Sequence, residues 1–112
     1  MPNPVVKEGG KRLIGSVIYI DRFGNLVTNL TQKLVVEKAQ GRKPEILLAK
    51  NRRIKKILGH YYEETEPGNA IAIYNAAGFL EIAIFKSGSD THGGAKELLG
   101  MDVKDAVTIE FS

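Results

Sequence analysis

Leu13-Ile14-Gly15-Ser16-Val17-Ile18-Tyr19-Ile20-Asp21-Arg22-Phe23-Gly24-Asn25-Leu26-Val27-Thr28-Asn29-Leu30 is the stretch that decides the fold. Its first eight residues are rich in side chains that favour a pleated strand: Ile14, Val17, Ile18, Tyr19 and Ile20 are β-branched or aromatic. The next five, Asp21 to Asn25, carry turn formers at both ends and a glycine where the backbone must bend sharply. Residues 26–30, with Leu26, Val27, Thr28 and Leu30, are predicted to form a second strand that returns antiparallel.

The same reasoning extends in both directions. Thr31 is placed to cap a helix predicted over residues 32–40, with Leu34, Val35 and Lys38 spaced for one face and Gly41 as the stop. Pro44 precedes a predicted strand at 45–49, Asn51-Arg52 suggests a turn, and 53–58 reads as another strand or an irregular edge. The polar run 63–69 separates that region from strands predicted at 70–75 and 79–85, which form a hairpin about Ala76-Ala77-Gly78. Residues 87–94 are rich in glycine and serine, 95–99 form one helical turn ending at Gly100, and 107–111 make the last strand. Residues 1–11, with prolines and adjacent glycines, read as a linker or frayed end. Many short strands and few helices define an all-β barrel or sandwich, and we expect a small antiparallel β-barrel with one or two short helices over residues 12–112.

Composition narrows the chemistry. With 112 residues and 43% hydrophobic content the chain has the material for one core. No apolar run approaches the roughly 20 residues of a membrane helix, and Met1-Pro2-Asn3-Pro4 lacks a signal pattern, so a soluble cytoplasmic protein without membrane contact is expected. The absence of cysteine excludes disulfides, thiolate catalysis and cysteine-ligated zinc. With His60 and His92 as the only histidines, read as surface residues, no metal site and no cofactor are expected. Asn29-Leu30-Thr31 matches a glycosylation acceptor, a chance match in a chain without a signal peptide. The net charge of +3 is a mild imbalance, which makes nucleic acid a weak expectation. Arg42, Lys43, Lys50, Arg52, Arg53, Lys55 and Lys56 interrupt short apolar runs, as cations do when they keep strand edges from pairing with other chains.

Two places carry polar groups beyond what a plain turn needs. In the first, Asp21 is an acceptor suited to an ammonium, and the Asn25 carboxamide offers the donor and acceptor that match the N6 and N7 edge of adenine. The alternative is that both side chains hydrogen-bond the turn backbone. The second is Asn75-Ala76-Ala77-Gly78-Phe79-Leu80-Glu81-Ile82-Ala83, which by itself reads as a hairpin with Glu81 on a solvent face. Ile18, Tyr19 and Phe23 are expected to pack inside.

Taken together, Ile20-Asp21-Arg22-Phe23-Gly24-Asn25-Leu26-Val27-Thr28-Asn29, the segment Asn75 to Ala83, Leu98-Leu99-Gly100-Met101 and Val107-Thr108-Ile109 resemble the C-terminal domain of the S-adenosyl-L-methionine hydroxide adenosyltransferases, relatives of the adenosyl fluorinases and chlorinases. The resemblance covers residues 13–111 and implies a two-domain enzyme, usually a trimer, with its site between the N-terminal domain of one subunit and the barrel of a neighbour. It implies that Asp21 meets the methionine ammonium of S-adenosyl-L-methionine and Asn25 its adenine, with Phe23, Asn75, Ala76 and Ala77 completing this wall. The family often has a serine where this chain has Ala76, which leaves the methionine carboxylate to the backbone N–H of Ala76 or Ala77. No catalytic residue is carried over, because the family's water-activating groups belong to the N-terminal domain, and the chain is expected to be part of a longer protein. The two turns are expected at one end of the barrel. Competing readings are a basic barrel that binds single-stranded nucleic acid with Tyr61 and Tyr62 as stacking surfaces, and a structural oligomerisation barrel.

Overall fold

The computed structural model describes residues 3–59, 69–84 and 94–112. The predicted hairpin is present: β2 (Arg12–Ile20) runs into the turn and β3 (Leu26–Thr31) returns antiparallel to it. Before them, β1 (Val5–Lys7) pairs with β2, within the stretch that reads as a linker from sequence. All three of its side chains are exposed, so it adds ladder bonds without adding core. After β3 come α1 (Gln32–Ala39), β4 (Pro44–Leu47), β5 (Arg53–Ile54), β6 (Ala70–Tyr74), β7 (Phe79–Ile84), α2 (Ala95–Leu99) and β8 (Ala106–Phe111). Thr31 caps α1 by accepting the Leu34 N–H at 3.2 Å, and Gln40 and Gly41 leave the helix with positive φ. The ambiguous stretch 53–58 is a two-residue strand followed by irregular chain.

Every strand pairing is antiparallel, in the order β5-β4-β8-β2-β3-β7-β6, with β1 beside β2. The two ends of this path approach each other where Leu58 donates its N–H to the Ala72 carbonyl at 2.8 Å and bridges to Ile73. The result is a nearly closed antiparallel barrel with two helices. Its interior is filled by Leu13 and Val17 of β2, Leu26 and Leu30 of β3, Ile46 of β4, Leu80 and Ile82 of β7, and Val107, Ile109 and Phe111 of β8, with Leu99 and Met101 buried in the same cluster. Such burial is the principal stabilising contribution to a domain of this size.

β3 is not a regular strand. Val27 pairs with Glu81, but Thr31 pairs with Phe79, so four steps along β3 match two along β7. The excess residues form a bulge, which bends the strand and removes ladder partners. Buried polar side chains replace them. Thr28 Oγ1 donates to the Leu80 carbonyl at 2.8 Å and accepts the Leu30 N–H at 3.1 Å, while Asn29 Oδ1 accepts the Ser16 N–H at 2.9 Å. A second register shift lies between Val17 and Tyr19 on β2.

The packing expectation for Tyr19 and Phe23 is corrected: Tyr19 is 58% and Phe23 60% exposed. Tyr19 pairs with Val27 in the row that crosses the outer face, and Phe23 sits on the tip of the turn, where the Arg22 guanidinium lies 4.9 Å from its ring centroid. Ile18 is half-buried.

Candidate functional site

The turn between β2 and β3 is tied together by its own polar groups. The Gly24 N–H donates to the Asp21 carbonyl at 2.9 Å, and the Asp21 N–H donates to the Asn25 carbonyl at 3.1 Å. Asp21 Oδ1 accepts the backbone N–H of Phe23 and of Asn25, each at 2.9 Å. Its second oxygen accepts the Asn25 carboxamide nitrogen at 3.1 Å. Gly24, at φ 81°, occupies the left-handed position that the bend requires. Both side chains thus brace the turn, one of the two roles the sequence left open. The carboxamide still has its Oδ1 and a second N–H outside this network, and among the described residues Asp21 makes no ion pair.

The turn is also held from behind, by residues that the sequence reading did not single out. The Lys96 N–H at the start of α2 donates to the Gly24 carbonyl at 2.9 Å, and Glu97 Oε2 accepts the Gly94 N–H at 3.1 Å. Gly94 lies so close that a β-carbon there would stand 2.2 Å from the Phe23 carbonyl oxygen. Glu97, three residues after Gly94, is the half of a capping pattern that the sequence carries, since glycine has no side chain to supply the other half.

The turn between β6 and β7 repeats the same device. Asn75 Oδ1 accepts the N–H of Ala77 and of Phe79, each at 3.0 Å, while the Gly78 N–H donates to the Asn75 carbonyl at 2.9 Å. Ala76 and Ala77 are exposed. The Ala77 N–H is committed to Asn75, whereas no described residue accepts the N–H of Ala76. The Gly78 carbonyl accepts the Gln32 N–H at 2.8 Å, which fixes this turn to the end of β3 opposite the first turn. The expectation of a common end is therefore corrected.

What stands between the turns is Glu81. It pairs with Val27 on one side and Ile73 on the other, in the row that includes Tyr19. It is half-buried rather than on a plain solvent face. Burial holds its carboxyl above the usual carboxylate value, the charge of Asp21 raises it further, and a hydrogen bond with the Asn75 side chain opposes both. Glu81 therefore senses both turns. Beyond Asn75 opens a cleft of about 470 Å³ bounded by Tyr74, Val35, Val36, Ile57 and Leu58, and burial pushes the Tyr74 phenol up to about 12.

No described helix is long and apolar enough to cross a membrane, and among the described residues no group of three or more His, Cys, Asp or Glu is placed to hold a metal ion. His60, His92, Tyr61 and Tyr62 lie outside the described residues.

The described residues thus form a small antiparallel barrel with two side-chain-braced turns about one half-buried glutamate. Residues 15–108 match the family described as the SAM hydroxide adenosyltransferase C-terminal domain, and the chain belongs to that family. It is 36% identical over 103 residues to the (R)-S-adenosyl-L-methionine hydrolase of Methanocaldococcus jannaschii, a match that covers 85% of this chain and 35% of the relative. Among solved structures it is similar to an uncharacterized conserved protein of Thermotoga maritima, with a TM-score of 0.71 at 25% identity over 97% of this chain and 39% of that one. It is also similar to a conserved hypothetical protein of Thermus thermophilus, with a TM-score of 0.60 at 25% identity over 100% of this chain and 39% of the other. The chain thus spans little more than a third of the length of these relatives.

Proposed function

We propose that this chain supplies the adenosyl- and methionine-binding wall of an enzyme that hydrolyses S-adenosyl-L-methionine to adenosine and L-methionine by displacement at ribose C5′. Membership of the family and the name of the curated relative support the substrate. The observation that carries the assignment to these residues is the Asp21–Asn25 network. One N–H of the carboxamide is anchored on Asp21, which leaves Oδ1 and the other N–H, one acceptor and one donor, as adenine N6 and N7 require. In this reading Asp21 and Glu81 form a negative region toward which the cationic ammonium of the methionine moiety is drawn, and Phe23 offers an exposed ring. Although the two turns spring from opposite ends of β3, Glu81 lies within reach of both Asp21 and Asn75, so the Ala76 N–H is taken to receive the carboxylate of the same amino acid.

The sulfonium is already a good leaving group, so the enzyme's work is to orient water or hydroxide in line with the C5′–S bond and to limit competing solvent. We place the water-activating groups on the part of the relatives that this chain does not cover, in a homotrimer where a barrel faces a neighbour's other domain. The test is adenosine binding by an enzyme assembled from this chain and that remaining domain. Asn25→Ala is expected to weaken binding by about 1–3 kcal/mol, and a purine nucleoside lacking the N6 amino group is expected to lose its disadvantage in the variant. Equal loss for both nucleosides, accompanied by a lower melting temperature, would confine Asn25 to bracing the turn.

A further inference from the structure

The seam where the two ends of the sheet approach each other holds a second cleft, of about 470 Å³, to which none of the residues of the two turns contributes. Its floor is aliphatic: Leu48, Ile54, Leu58 and Ile71 are all buried. Its rim is cationic, formed by Arg52, Arg53, Lys55 and Lys56. The fold treats these four cations differently. Arg53 is neutralised by Glu45 at 3.4 Å and Glu110 at 3.8 Å. Arg52, Lys55 and Lys56 are exposed and form no ion pair with a described residue.

Edge protection explains cations along a strand, but not their placement about a concavity. β5 is two residues long, after which the chain curves inward to bring Leu58 to β6, so positions 52, 55 and 56 surround the cleft. Like charges held around a low-dielectric hollow focus the field inside it and attract a compact anion. The volume falls in the roughly 300–1,000 Å³ range of small-ligand sites. A guanidinium and two ammonium groups match phosphate oxygens, and an aliphatic floor matches the face of a planar ring.

We propose that the seam is a binding site for a nucleoside di- or triphosphate, its phosphates on Arg52, Lys55 and Lys56 and its base against the parts of Leu48, Ile54 and Leu58 that reach the cleft. A nucleic-acid strand is the poorer occupant, because the three cations without an ion pair border one hollow, whereas the neighbouring charges of the sheet, Glu45 and Glu110, are already matched by Arg53 and Arg12 and offer a continuing phosphate backbone no further cation. The site is independent of the adenosyl wall.

Calorimetric titration of the protein with ATP, inorganic pyrophosphate, adenosine and a ten-residue oligothymidylate tests it. ATP is expected to bind saturably and more tightly than pyrophosphate, with affinity falling as salt is raised. Arg52→Gln, Lys55→Gln and Lys56→Gln combined are expected to weaken ATP binding about tenfold for each charge-assisted hydrogen bond removed, with the melting temperature unchanged because all three side chains are exposed. Adenosine binding is expected to be unchanged in the triple variant, which separates nucleotide held at the seam from nucleoside held at the β2–β3 turn. The proposal is overturned by absence of saturable ATP binding, by unchanged affinity in the triple variant, or by oligothymidylate binding more tightly than ATP. Loss of ATP binding in Asn25→Ala but not in the triple variant would place the nucleotide at the β2–β3 turn and overturn it equally.

Discussion

Thr28 and Asn29 stand three and four residues beyond Asn25 in a string that reads as one motif, yet the two halves of that string do different work. Asp21 and Asn25 lie at the surface of the turn; Thr28 and Asn29 face inward and are the buried polar residues among the described ones. Their hydrogen bonds replace the ladder partners missing at the bulge, and a buried backbone group without a partner is costly. Thr28→Val keeps the shape and removes both bonds, and is expected to lower stability by about 1–3 kcal/mol in urea unfolding, with Thr28→Ser restoring most of it. Glu81 makes a prediction of opposite sign. Its folded-state pKa lies above the ordinary value of 4.5, so the native protein holds this proton more tightly than the unfolded chain does. The stability contribution present at low pH is lost as pH rises through the folded-state value. Glu81→Gln cannot ionise, so its urea midpoint is expected to decline less between the carboxylate range and neutrality and to exceed that of the parent at neutral pH. A parallel decline in both proteins would show that Glu81 is not the group responsible.

At the scale of elements, α2 is too short to be stable alone, since five residues do not repay helix nucleation. It is held by docking: Lys96 bonds the Gly24 carbonyl, Gly94 lies against Phe23 and Gly24, and Leu99 enters the core. The helix and the candidate turn are therefore one mechanical unit. Gly94→Ala would push a methyl group into the Phe23 carbonyl, a backbone atom that cannot move without the turn. An overpacking cost of about 1–3 kcal/mol is expected. Because the displaced backbone carries Asn25, adenosine affinity in the assembled enzyme should fall as well. Unaltered affinity alongside reduced stability would uncouple α2 from the site.

For the whole molecule, the decisive relation is between what the barrel presents and what it covers of its relatives. In the proposed function it provides groups that bind and orient, and its match spans 35% of the hydrolase it resembles. The 112-residue chain by itself is expected to leave S-adenosyl-L-methionine intact, checked by chromatographic detection of adenosine. Adenosine release by the purified chain, abolished by denaturation, would place the water-activating groups within these residues.

The sequence by itself determined the elements whose causes are local. β-branched runs on either side of Asp21–Asn25 and of Ala76-Ala77-Gly78 specify two hairpins, Thr31 starts α1, Gly100 ends α2, and together they define a small all-β barrel of this family. The motif at Asp21 and Asn25 was legible because a braced turn needs those residue types within five positions. Tertiary structure alone decided the bulge in β3, the exposure of Tyr19 and Phe23, the opposed ends from which the two turns spring, and the half-burial of Glu81 between them. Each of these depends on which residue faces which across strands far apart in the chain. A register shift changes the side to which a side chain points without changing any local preference, so no window of sequence contains it.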